Sequence, residues 1–411
     1  MKSLARIFTI CFCMGVAPCF AGGYLSSWLS SYYLGLGGSG TAGFNDPSIL
    51  TLNPAGAAWL NRSVVQINGG LNWSDIAYLR NGSADDPIGS QTAAFSSFSA
   101  YLSWKKSQDS RMSWNLAINS PYSYSLQWPE GWTGARLSQE LFISSLFATP
   151  SVSMLIGDNL SLGLGLSAGV VNVSTSRALS FTPAGNVLPN EQLSGNRFSG
   201  MIQGGLIWKP APNIRFGLSY QQELGANTIE GGATFIPPTL LEDFYPDTDF
   251  SFFLPGPAQG RMGFAFEVDP QFTLYLDAHF TGWKVMDSLR VDYKTNTNAL
   301  PDVSQDFRWT NTIAIRTGAT WAINDDLTFM TGIFLDPGPV SNSRVYPLIP
   351  EGTRIGVGGG ITWKVHEQLS MNFAGSYSGS GERLGTFEAL NFGGIYQLQD
   401  FSTQFSLNWH W

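Results

Sequence analysis

An all-β protein, a 14-stranded antiparallel transmembrane β-barrel with an N-terminal plug, is the architecture this sequence predicts. Three observations carry the prediction. Apolar and polar residues alternate in segment after segment, the connections between those segments alternate short and long, and charge is scarce. Charged residues are 13% of the 411, where a soluble chain has about a quarter. Few charges without long apolar runs is what alternating strands produce.

The end of the chain shows the pattern most simply. Phe401, Thr403, Phe405, Leu407, Trp409 and Trp411 share one face of an extended segment, and Ser402, Gln404, Ser406, Asn408 and His410 share the other. A soluble sandwich would bury the oily face in a core, whereas a membrane barrel turns it toward lipid and keeps the polar face toward a lumen.

From the start, residues 1–21 read as a signal peptide. Lys2 and Arg6 form the basic region, residues 7–16 the apolar region, and Cys19-Phe20-Ala21 the small-x-small cleavage site before Gly22. Pro18 fits a lipoprotein processing site poorly. Cys11, Cys13 and Cys19 all fall within this leader, so the mature chain is expected to carry no thiol, disulfide or cysteine-ligated metal. No later stretch reaches the roughly 18 unbroken apolar residues of a membrane helix. Losing Lys2 and Arg6 takes the formal charge from -8 to -10, which argues against nucleic acid as a partner.

Residues 22–60 do not alternate. They carry Leu34-Gly35-Leu36-Gly37-Gly38, Asn45-Asp46-Pro47 and Asn53-Pro54-Ala55-Gly56, repeated turn signals with little core of their own. Such a segment needs a container. From residue 61 to 411 the period-two pattern supplies one. Val65, Ile67, Leu71 and Trp73 mark the first strand; Phe98, Leu102 and Trp104 the second; Met112, Trp114, Leu116 and Ile118 the third. A fourth follows over 143–156. Leu160, Leu162, Leu164, Leu166 and Val170, with Ser161, Gly163, Gly165 and Ser167 between them, make the cleanest, the fifth. Strands six to nine carry Trp208, Phe216, Phe264 and Leu276; ten and eleven Trp309, Ile313, Trp321, Phe329 and Ile333; twelve and thirteen Val357, Trp363, Phe373 and Tyr377. The terminal segment is the fourteenth.

Short turns follow the even-numbered strands, among them Gly157-Asp158-Asn159, Asp269-Pro270-Gln271, Asn324-Asp325-Asp326 and His366-Glu367-Gln368. Long connections follow the odd ones, over 74–95, 120–142, 177–197, 223–260, 283–307, 336–353 and 379–400. This sorting, with an even strand count, is the layout of a bacterial outer-membrane barrel with periplasmic turns and external loops. About fourteen strands enclose a lumen wide enough to conduct water, and residues 22–60 are the segment available to close it.

The same motifs resemble the FadL family of outer-membrane transporters for long-chain fatty acids and other hydrophobic compounds. The resemblance rests on Leu34 to Gly38 and Asn53-Pro54-Ala55-Gly56, on Trp128-Pro129-Glu130-Gly131-Trp132, on Arg215-Phe216-Gly217-Leu218-Ser219-Tyr220, and on Pro339-Val340. It implies a monomer with an N-terminal hatch, which captures a hydrophobic small molecule at its external loops and passes it to an inner pocket. Hatch movement then releases it through a gap in the wall.

Several residues are candidates for these steps. The connection over 233–257 is apolar for an external loop, and Phe244, Tyr245, Phe250, Phe252, Phe253 and Leu254 could form a capture surface. Packing within the loop or against outer-membrane lipid and lipopolysaccharide would use the same residues. Trp128 and Trp132 could border that groove or anchor at the interface. Asn119-Ser120-Pro121 ends a strand or interrupts the wall, since proline cannot donate to a ladder. Arg215, Arg261, Glu267, Asp277, His279 and Arg316 point inward. Arg316 is the candidate for a ligand carboxylate, because a guanidinium fork suits that group; an ion pair across the lumen would occupy it instead.

No cofactor or metal is expected, and no catalytic residue is assigned. The mature chain has only His279, His366 and His410, widely separated in the pattern. Asp277 with His279 leaves an outer-membrane hydrolase as a minor alternative, without a nucleophile motif beside it. A water-filled porin is the larger alternative, because barrel size alone permits it.

Overall fold

The wall is a closed antiparallel sheet. In the computed structural model residues 22–26, 30–83, 86–92, 94–179, 189–225 and 227–411 are described, and the leader expected over 1–21 lies outside them. The first seven wall strands are β1 Val64–Arg80, β2 Phe95–Trp104, β3 Met112–Asn119, β4 Glu140–Ile156, β5 Leu160–Ala178, β6 Pro189–Ala211 and β7 Ile214–Leu224. The next seven are β8 Gln259–Asp269, β9 Phe272–Thr281, β10 Thr312–Ala322, β11 Leu327–Asp336, β12 Arg354–His366, β13 Leu369–Gly379 and β14 Phe392–His410. Each pairs with its neighbours, and β14 returns to β1 from Val64 opposite His410 to Arg80 opposite Gly394, so the sheet has no free edge along that seam.

The alternation is obeyed by burial. Ile67 is 52% exposed on the outer face of β1, while its neighbours Gln66 and Asn68 are 0% and 2% exposed on the inner face. Between β4 and the short Tyr124–Gln127 strand, and along β6, the sheet rises beyond the common rim. Thr228–Phe235, Thr248–Phe253, Ser288–Tyr293 and Val303–Asp306 continue it as paired strands inside the long connections. The sequence pattern shows these as loops, because their apolar residues face one another and not a uniform outside. Trp309 is a correction to strand ten: that strand begins at Thr312, and Trp309 precedes it, 3% exposed in an internal aromatic cluster.

Residues 30–60 lie against the inward faces of the wall. Helix α1, Ser31–Gly35, starts where the Ser30 hydroxyl accepts from Tyr33 N, the N-cap role that suits serine. Gly37 and Gly38 then turn the chain with φ of 62° and 78°, a conformation glycine adopts freely. Helix α2 spans Ile49–Leu52, and a 3-10 turn over Pro54–Trp59 is capped by Asn53, whose side chain accepts from Ala55 N, with Pro54 at its first position.

Candidate functional site

Two different surfaces hold the inner segment. From β5 to β12 the wall offers bare backbone. Gly163 meets Pro54 and Ala55; Gly205 meets Asn53; Gly217 and Gly263 meet Thr41; Gly318, Gly332 and Gly358 meet the stretch from Leu34 to Ser39. These glycines are neighbours across the sheet, with Gly163 opposite Gly205, Gly217 opposite Gly263, Gly318 opposite Gly332, and Gly332 opposite Gly358. A Cβ at any of them would overlap the inner segment. The remaining wall holds it by polar side chains. Ser31 Oγ donates to Ser406 Oγ at 2.8 Å, and the buried Asp46 accepts from Gln66 at 2.8 Å and from Asn372 at 3.0 Å.

The motif Asn53-Pro54-Ala55-Gly56 sits at the meeting point of these contacts. Asn53 Nδ2 donates to the carbonyls of Thr41 at 3.0 Å and of Leu206 at 2.9 Å. Ser153 and Ser161 hydroxyls donate to Pro54 O and Ala55 O at 2.7 and 2.9 Å. Gly56 packs on Ile49 and Gly43 with no room for a side chain. On β9, Asp277 Oδ2 accepts from Gly40 N, Thr41 N and Thr41 Oγ1 at 2.9, 2.8 and 2.6 Å. His279 Nε2 lies 3.2 Å from that same oxygen and 3.4 Å from Thr41 Oγ1. Both groups approach one imidazole nitrogen, so the histidine cannot relay a proton between them in the manner of a triad.

The wall is interrupted beside β3. Strand β2 pairs with β3 only from Ala100 to Trp104, and β3 pairs with β4 only as far as Asn119 opposite Phe147. The chain then leaves the sheet at Ser120-Pro121 and rejoins β4 at Tyr124 opposite Ile143. Proline has no N–H to continue the ladder. Phe95 to Ser99 on one side and Ser144 and Ser145 on the other face a cavity of about 320 Å³, lined also by Ser26, Tyr122 and Phe142. The departing chain is received by the N-terminal arm. Leu25 bridges Tyr122, Ser26 N donates to Pro121 O at 2.9 Å, and Ser123 N donates to Tyr24 O at 3.1 Å.

Tyr24 joins that arm to an aromatic file. Its ring lies 6.2 Å from Tyr122 and 5.1 Å from Trp283; Trp283 is 5.1 Å from Trp309, Phe307 is 6.0 Å from Trp309 and 5.6 Å from Tyr346, and Tyr346 is 5.0 Å from Phe387. Burial holds the Tyr24 hydroxyl far above its ordinary pKa, so it remains a neutral donor, here to Pro255 O. The file escaped sequence reading because its members come from the N-terminal arm and four separate connections. The only signal was the density of aromatic residues near strand ends.

The loop residues singled out from sequence occupy mixed positions. Trp128 and Trp132 stack at 4.3 Å, are 1% and 4% exposed, and pack on Tyr78; Trp128 Nε1 donates to Pro347 O. Phe250, Phe252 and Leu254 are buried in the same cluster, and Tyr245 packs against it. Phe253 is half-buried with Arg290 over its ring, and Phe244 is exposed beside Leu240. Most of this apolar connection therefore lies in the cluster beneath the loops, and only its tip faces outward.

Several interior charges are paired. Arg177 with Glu191, Arg197 with Glu223 and Arg215 with Glu267 form ion pairs. Arg316 meets Asp336 at 2.7 Å and donates to Gly37 O at 3.1 Å. Among the described residues no group of three or more His, Cys, Asp or Glu side chains is arranged to hold a metal.

A family model described as Outer membrane protein transport protein (OMPP1/FadL/TodX) matches residues 16–383. The chain belongs to this family. Among curated relatives, the long-chain fatty acid transport protein of Salmonella typhi is 21% identical over 289 residues, covering 64% of this chain and 66% of that protein, just under two thirds of its length. The counterpart in Escherichia coli K12 is 20% identical over 312 residues, with the same coverage of each chain. Among solved structures, a Pseudomonas aeruginosa FadL homologue aligns with a TM-score of 0.83 at 19% identity, covering 94% of this chain and 99% of that one. The Pseudomonas putida toluene transporter TodX aligns at 0.76 and 13% identity, covering 93% and 98%. At these identities the likeness speaks for the fold, and within this FadL-type barrel the wall opening, the arm and the seated segment are the features that chemistry can use.

Proposed function

We propose that this chain is an outer-membrane transporter for hydrophobic small molecules, long-chain fatty acids or aromatic hydrocarbons, and that it releases them sideways through its own wall. The apolar outer face of the barrel meets lipid, residues 22–60 act as the plug, and the leader directs secretion to the bacterial outer membrane. The loop cluster around Trp128, Trp132, Phe250 and Phe252 takes ligand from outside, and the aromatic file leads inward to Tyr24.

One observation carries this reading: the stretch beside β3 where neighbouring wall strands part lies against the N-terminal arm. A water-filled porin has no use for such a gap. Its lumen would have to be open, while here the inner segment touches wall backbone on one side and wall side chains on the other. A hydrophobic molecule that reaches Tyr122 can pass between Phe95 and Phe142 toward lipid without crossing water, and displacement of Leu25 and Ser26 from Tyr122 and Pro121 would widen its route.

The test is Ser97→Trp, which fills the cavity beside Phe95 from the wall. Uptake of radiolabelled oleate and of toluene by cells carrying the variant should fall at least tenfold, while the protein keeps the heat-modifiable gel migration of a folded barrel. Undiminished uptake would remove the lateral route.

A further inference from the structure

Resting on that transport reading, we propose that the summit of the connection over 225–258 docks on an uncharged apolar phase, the surface of a hydrocarbon or neutral-lipid droplet, and draws cargo from it. The outer surface changes character twice on the way up to this summit. On β5 and β6 the apolar outer face ends at Val170 and Phe198, which lie opposite each other. Above them the exposed residues are polar: Asn172 and Ser174 on β5, then Asn196, Ser194 and Gln192 on β6, with Glu230 and Thr234 on the strand paired beside it. The chain then turns apolar again. Ile236, Leu240 and Phe244 are 63%, 93% and 48% exposed.

The polar interval decides what these three residues can meet. Phe235, just before them, lies opposite Glu191, seven residues along β6 from Phe198. That is about 23 Å of strand. A tip carried so far beyond the apolar band, across a polar stalk, does not share the lipid that the band faces. It is also built in advance of any contact. Leu241 N donates to Pro238 O at 2.8 Å, Phe235 N to Asp247 Oδ1 at 2.9 Å, and Thr297 Oγ1 to Phe244 O at 2.6 Å. Little ordering is then left to oppose docking.

Charge narrows the occupant. The connection over 225–258 carries five acidic residues and no Lys, Arg or His. Asp249 pairs with Lys294 and Asp247 receives the Phe235 amide, which leaves Glu242 and Asp243 exposed beside Leu240. These two repel the phosphates of an anionic membrane surface and the same tip on a second copy. An uncharged phase offers no such repulsion, and burial of apolar surface drives the contact. The base of the tip also joins the loop cluster, since Tyr245 packs against that cluster and lies 6.3 Å from Phe235 within it. A molecule leaving a droplet at Leu240 therefore finds its next apolar contact on the protein.

The experiment holds the full barrel in lipid nanodiscs and floats it with hexadecane droplets, empty nanodiscs of the same lipid giving the baseline. The wild type should float roughly tenfold or more above that baseline, and Ile236→Ser with Leu240→Ser should return it there. Raised salt should not release the wild type, and heat-modifiable migration shows that the variant is folded. A variant that floats like the wild type, or a wild type that floats like empty nanodiscs, overturns the proposal. So does release by salt, which marks a charged contact, or pairing of wild-type nanodiscs that the double variant abolishes, which makes the occupant a second copy. Uptake by cells separates this proposal from the transport reading. Radiolabelled toluene dissolved in buffer should enter equally with both proteins, while radiolabelled octadecane presented in hexadecane droplets should enter roughly tenfold more slowly with the variant. Equal loss of both, or loss of neither, overturns the droplet assignment. Wild-type cells that take up neither would bring down the transport reading, and flotation would still decide what the tip meets.

Discussion

Replacing Asn53 by alanine should loosen the inner segment while leaving the wall intact. The side chain is 0% exposed and makes three bonds: to Thr41 O at 3.0 Å, to Leu206 O at 2.9 Å, and from Ala55 N at 3.1 Å. Loss of an N-cap costs about 1 kcal/mol, and each of the other two bonds contributes about 1 kcal/mol net. No water replaces them, because Gly205 and the Thr41 turn close over the site. The total of about 3 kcal/mol, at about 1.4 kcal/mol per factor of ten, raises local opening by roughly a hundredfold. Amide exchange followed by mass spectrometry on peptides spanning 39–57 reads that number directly, since sub-global opening sets the exchange rate. Exchange in the β5 and β6 peptides should stay put. A variant whose 39–57 amides exchange within twofold of the wild type would refute the claim that Asn53 ties two parts of the inner segment to the wall.

Two further outcomes follow from the same contacts. Gly332→Val puts a branched side chain where Leu36 backbone now lies, so the segment around α1 should be displaced and become cleavable by added protease, with the barrel still heat-modifiable; continued protection would mean the glycine contact is dispensable. Glu351, in the connection between β11 and β12, is held by two 2.8 Å bonds from Arg354, and burial, outweighing that arginine, pushes its carboxyl up to about 7. A raised acid holds its proton in the folded state over a window where the unfolded chain has lost it. Stability is therefore gained as pH falls from about 7 toward the ordinary carboxyl range, and lost as it rises again, by on the order of 3 kcal/mol at most. The difference in thermal stability between wild type and Glu351→Gln should change across that window and be flat above it, and a pH-independent difference would contradict it.

Strand count and wall topology were legible because outward-facing positions repeat one apolar requirement fourteen times, and each repetition reinforces the others. The inner segment was legible only as a stretch that could not stand alone. What seats it was hidden, since Gly163, Gly205 and Gly332 look like ordinary members of a small, polar inner face. The interruption at Pro121 was legible as one of two possibilities, and deciding between them needed the pairing partners of β2 and β4. Charge was harder still. Arg316 points inward as expected, but its ion pair with Asp336, twenty residues further along the chain, could not be read from a period-two pattern. Trp309 sat well in an alternating strand and belongs to the interior, because a period-two pattern does not announce where its strand begins.

The row of bare glycines also bears on how such a molecule can be made. A cylinder packed to backbone contact with residues 34–55 of its own chain leaves no space through which they could be threaded later. The closing of β14 onto β1 must therefore find that length of chain already gathered within the curl. The seam and the seating of that segment are then steps of a single assembly, and an alteration that delays one traps the other half-built.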